Sequence, residues 1–116
     1  MASAALTHQS YLCQYELVLA DNERLTAGLP LRHFAGTPGQ AIRWLRRAAR
    51  RLAPSLAENA ELLVGEWLDD AAGYHRAAFG LGRGEALLMA FASHSLILQL
   101  EARPVVVLNV LPHHPT

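Results

Sequence analysis

The chain has no lysine; all ten of its basic side chains are arginine. The simplest reading of that bias is GC-rich codon usage, and the second is a demand for planar, bidentate contacts that an ammonium group cannot make. Cysteine occurs once, at Cys13, so no disulfide framework holds the fold together. Long apolar runs are missing as well. The longest uncharged stretch, Ala86 to Leu100, is broken by Ser93, His94, Ser95 and Gln99. It stops short of the roughly 20 residues that a membrane span needs. Met1 to Leu6 lacks a basic start and an extended apolar stretch, so it does not read as a secretion signal. A cytoplasmic protein with no membrane partner is the expectation. Net charge is also absent: ten acids balance ten arginines. That excludes a uniformly basic polyanion binder.

What is present is apolar residue content. Hydrophobic residues make up 52% of the 116 residues and charged ones only 17%, enough to offset the ordering entropy of one core. One domain spanning residues 10–112 is expected, with a loose start at 1–9 and a frayed tail at 113–116.

Tyr11, Cys13, Tyr15, Leu17 and Leu19 alternate with Leu12, Gln14, Glu16 and Val18, the period of a strand with one apolar face. A second, irregular strand is expected within Arg24 to Phe34, where Gly28 and Pro30 confine it to an edge. Thr37-Pro38-Gly39-Gln40 then reads as a helix start, with Thr37 as N-cap, Pro38 in the first turn and Gln40 completing a capping box. Ile42, Leu45, Ala48, Ala49 and Leu52 share one face of that helix, which runs over residues 38–53 and stops at Pro54.

Residues 55–82 admit two readings. One is a second helix over 56–71, capped by Ser55 and Glu58, with Leu56, Ala60, Leu63, Val64, Trp67 and Ala71 as its stripe. The other is a hairpin pairing Glu61–Leu68 with Tyr74–Leu81. Further on, Leu96, Leu98 and Leu100 alternate in a strand. Ala102-Arg103-Pro104 reads as a tight connection, and Val105 to Leu111 as a final buried strand. The fold class is therefore α+β: an antiparallel sheet of about four to six strands packed against one main amphipathic helix. The terminal strand, apolar on both faces, suggests a homodimer through Val105 to Leu111.

The residues with most functional content are Arg43, Arg46, Arg47, Arg50 and Arg51. They lie opposite the apolar face of the main helix, and no acid occurs between Arg24 and Ala53 to neutralise them. Trp44 flanks them. Glu58, Glu61, Glu66, Asp69 and Asp70 follow with no base among them, so the chain is dipolar. The leading reading is a non-catalytic binding or regulatory module that meets an acidic protein through these arginines and Trp44. Nucleic-acid binding by the same helix is the alternative, although no helix-turn-helix, RNP or zinc-finger pattern accompanies it. A small enzyme with a site near Asp69, Asp70 and His75 is the third. No catalytic residue, metal site or cofactor is assigned. The histidines at 8, 33, 75, 94, 113 and 114 lack ligand spacing. Cys13 on an apolar strand face reads as a core residue rather than a nucleophile.

Overall fold

The computed structural model describes residues 6–19, 31–93 and 96–109. Strand β1 spans Leu6–Leu19 and β2 Leu31–Ala35; helix α1 spans Pro38–Leu52 and is followed by a 3-10 turn over Ala53–Ser55. Helices α2 (Glu58–Asp69) and α3 (Ala71–Gly82) come next, then strands β3 (Leu87–Ala92) and β4 (Leu96–Asn109). The four strands form one antiparallel sheet in the order β2-β1-β4-β3. This is the expected α+β class.

The alternation read in β1 decides which side the helices cover. Tyr11, Cys13 and Tyr15, with Leu98, Leu100 and Ala102 of β4 and Phe91 of β3, point into one buried cluster. Ala41, Ile42, Leu45, Ala48 and Ala49 of α1 close over them, joined by Ala60 and Val64 of α2 and Leu81 of α3. Leu45 and Ile42 are fully buried, as the 3.6-residue period requires.

Local chemistry sets the helix ends. Thr37 Oγ1 accepts a hydrogen bond from the Gln40 amide at 3.1 Å. The Gln40 side chain reaches back to the amide of Gly36, also at 3.1 Å, one residue earlier than a standard capping box would place it. Between α2 and α3 the break falls at Asp70, whose carboxylate accepts from the Gly73 amide at 2.9 Å and so caps α3. Helix α3 ends in a Schellman motif: Glu85 N donates to Gly80 O at 2.9 Å and Gly84 N to Leu81 O at 3.0 Å. Gly84 there has φ +95°, which a side chain would strain.

Four expectations need correction. Residues 58–82 form two helices and no hairpin, since Asp70 caps a new helix instead of turning a strand. Ser55 caps nothing: it belongs to the 3-10 turn, and α2 begins after Ala57, whose amide donates to Ser93 Oγ at 2.9 Å. Leu63 of the expected stripe is exposed, and the buried line on α2 is Ala60 and Val64, with Trp67 and Leu68 packed beside it. Finally, Ala102-Arg103-Pro104 is not a connection. β4 runs straight through it, pairing with β1 from Leu96↔Leu19 to Asn109↔Leu6. The proline is tolerated because β3 ends at Leu87↔Ala102, so among the described residues β4 has a paired strand on one side only from there.

β1 also begins at Leu6, within the stretch expected to be loose. The second strand is the short Leu31–Ala35; residues 24–30 of the expected span, and 110–111 of the terminal one, lie outside the described residues.

Candidate functional site: an arginine row on helix α1

The main helix presents its arginines in three different environments. Arg46 lies on the flank facing α2 and α3. Its guanidinium donates to Leu68 O at 3.2 Å and to Asp70 O at 2.8 Å, carbonyls at the α2 C-terminus. It also lies over the rings of Trp67 (5.2 Å) and Tyr74 (5.4 Å). A cation there meets the negative end of the α2 dipole at Leu68 O, and shares Asp70 O with the Tyr74 amide that opens α3. Arg46 thus holds the α2–α3 corner against α1.

Arg51 lies on the opposite flank, where it donates to the Tyr15 hydroxyl at 2.8 Å and sits 5.9 Å from that ring. The remaining three, Arg43, Arg47 and Arg50, are exposed and fall at i, i+4 and i+7, one row roughly 10 Å long at 1.5 Å per residue. Arg43 makes one long contact, 3.4 Å to the Tyr74 hydroxyl. Among the described residues, Arg47 and Arg50 have no hydrogen-bond or ion-pair partner, and no arginine of α1 pairs with a carboxylate. Among the described side chains no carboxylate of the acidic segment pairs with the row: the segment meets the α1 arginines through Arg46, which bonds the Leu68 and Asp70 carbonyls and lies over Trp67, while the Asp70 carboxylate lies 3.6 Å from Arg76.

Trp44 is half-buried and packs on the core. Its indole stacks on His33 of β2 at 5.3 Å with the planes 9° apart, and meets Tyr15 at 5.5 Å. The Cys13↔His33 register puts His33 on the helix side of the sheet, which brings it to Trp44. Together His33, Gln40, Arg43, Trp44 and Arg47 line an open depression of about 280 Å³. It has an aromatic floor and two guanidinium walls, a setting for a carboxylate carried on an apolar stem. Sequence reasoning did not place His33 here. Only its pairing opposite Cys13 would have shown which face it takes.

The other candidates resolve differently. Asp69 and His75 are exposed, and Asp70 is occupied as the α3 cap; His75 makes an edge contact with Tyr74 at 5.3 Å. Among the described residues no nucleophile, base and acid converge there. Cys13 is fully buried, and desolvation pushes its thiol up to about 11, away from the reactive thiolate. Among the described residues no three His, Cys, Asp or Glu side chains gather as a metal-ligand set; His94, His113 and His114 lie outside those residues. No described helix is long and apolar enough to cross a membrane. Comparison with protein-family models, with curated proteins and with solved structures returns no match.

Proposed function

We propose that this protein is a non-catalytic cytoplasmic binding or regulatory module that recognises an acidic protein surface through helix α1. The observation that carries this reading is the row Arg43, Arg47 and Arg50: three exposed guanidinium groups on one helical line, none paired to a carboxylate among the described residues. Leaving like charges side by side costs helix stability, and a partner's carboxylates would remove that cost. The i, i+4, i+7 spacing matches acids presented by a facing helix or strand, and the Trp44–His33 floor adds an apolar anchor. Arg46 and Arg51, grouped with the row in the sequence, serve the fold in this reading.

Nucleic acid is the weaker partner for the same surface. Three exposed arginines would give a logarithmic salt slope of only about −2 to −3. We also propose that the protein is a homodimer through its C-terminal strand.

The test is affinity capture with nuclease present, comparing the wild type with Arg43→Glu/Arg47→Glu/Arg50→Glu. The expected result is a stoichiometric acidic protein retained by the wild type and lost from the variant. Retention that ignores the row, or that disappears with nuclease, contradicts the reading.

A further inference from the structure

Beyond Tyr11 on β1 and Ala102 on β4, no third described strand pairs with either. β2 leaves β1 at Tyr11↔Ala35 and β3 leaves β4 at Leu87↔Ala102. Residues 6–10 and 103–109 are therefore a two-stranded ribbon, an arrangement only marginally stable in water by itself. The helix layer stops short of it. Val106 and Leu108 keep the parity of Leu98, Leu100 and Ala102 and so continue the core face, yet they are 72% and 56% exposed. Val105 and Val107 point to the other face.

The two edges of the ribbon differ. That of β1 carries Thr7, His8, Gln9 and Ser10. That of β4 reads Val105-Val106-Val107-Leu108, with no charge and no proline. Its register with β1 advances one for one from Leu96 to Asn109, so it has no bulge either. Among the described residues, Arg103 and Pro104 guard only the start of this edge, and from Val105 to Leu108 no charge, proline or bulge protects it.

We propose that a second copy of this chain covers that edge, with β4 pairing antiparallel to β4 about a two-fold axis at Val107. This builds on the homodimer reading above and gives it a location and a register. The strand is complementary to itself in that register. Val106 of each copy falls opposite Leu108 of the other, both on the helix side of the sheet, so the two most exposed apolar residues of the arm cover each other. Arg103, the nearest charge, lies outside the paired span; the two copies of it stand roughly 26 Å apart along the strands, well beyond a Debye length. Because opposite residues share a face, both helix layers, and both arginine rows, end on the same side of one continuous sheet.

The test is sedimentation equilibrium on the full chain, with two kinds of variant. The wild type should weigh twice 12.7 kDa, and Val106→Lys/Leu108→Lys should weigh 12.7 kDa with an unchanged circular dichroism spectrum. Paired antiparallel residues have Cα atoms about 4.5–5.5 Å apart, within the range a disulfide bridges. Val107→Cys should therefore oxidise to a covalent dimer, and Leu88→Cys, exposed on β3, should not. The Val107→Cys result decides the matter if the lysine variant does not fold. A wild type of 12.7 kDa overturns both the arm and the homodimer. A dimer that ignores the lysines, or that crosslinks as readily at Leu88 as at Val107, overturns the arm and leaves the homodimer standing.

Discussion

Replacing Arg46 with alanine should destabilise the fold far more than replacing Arg47, one residue along the same helix. Arg46 makes two hydrogen bonds to carbonyls of the α2–α3 corner, Leu68 O at 3.2 Å and Asp70 O at 2.8 Å, and lies over Trp67 and Tyr74. Hydrogen bonds to a charged group contribute about 1.5–3 kcal/mol, and a partly desolvated cation–π contact about 1 kcal/mol. The pair of bonds shares one side chain and a half-exposed setting, so their effects do not add fully. A loss of about 2–4 kcal/mol is the resulting expectation. Arg47 has no partner among the described residues, so its removal should change stability by less than about 0.5 kcal/mol. Relief of repulsion within the row can even give a small gain. The assay is equilibrium urea unfolding at fixed protein concentration. With a slope of roughly 1.5 kcal/mol per molar, the midpoint of Arg46→Ala should fall by about 1.3–2.7 M while that of Arg47→Ala stays in place. Equal midpoints for the two variants would refute the division of the arginines into structural and free ones.

Other outcomes follow from the same structure. Thr37→Ala should lose about 1 kcal/mol in the same urea assay, with Thr37→Ser restoring most of it, since the lost group is the hydroxyl that accepts from Gln40. Gly84→Ala should lose about 1 kcal/mol because its φ of +95° disfavours a Cβ, and an unchanged midpoint would contradict the Schellman ending of α3. Cys13 has a folded-state pKa raised by burial to about 11. In the unfolded chain the thiol ionises first as pH rises, so the folded state holds the extra proton. The contribution is complete below the unfolded value and is lost as pH climbs from about 9 through 11. The decline in stability over that window should be shallower in Cys13→Ala than in the wild type. In the native wild type the thiol should resist a colourless-to-coloured disulfide reagent until denaturant is added.

Helix α1 was legible because three independent signals coincide there: the Thr37 cap, Pro38 in the first turn and a full 3.6-residue stripe. β1 was legible for the same kind of reason, with Cys13 between Tyr11 and Tyr15. The α2–α3 corner was not. Gly65, Gly73 and Gly80 suggested turns, yet Gly65 sits in a helix with open space where its Cβ would be, and Gly73 lies in the first turn of α3, against the capping Asp70 carboxylate. Pro104 misled in the opposite direction. A proline ends a strand only where both sides need hydrogen bonds, and among the described residues β4 has one paired strand at that point.

The arginine helix was visible as a charge pattern, but its partition was not. Whether a guanidinium is free depends on what comes to its flank, and Arg46 meets α2 carbonyls that periodicity cannot position. The aromatic floor under the row likewise arises from a strand register, Cys13 opposite His33, that no spacing along the chain encodes.

Arginine-selective labelling with phenylglyoxal, followed site by site in a mass spectrometer, reads the exposed row most directly. No lysine competes for the reagent. Arg47 and Arg50 should label fast and Arg46 slowly in the free protein, and the two fast sites should become protected when the captured partner is added. Arg47 and Arg50 as slow as Arg46, or equally reactive with the partner bound, would contradict an uncovered row that exists to be met by another molecule's carboxylates.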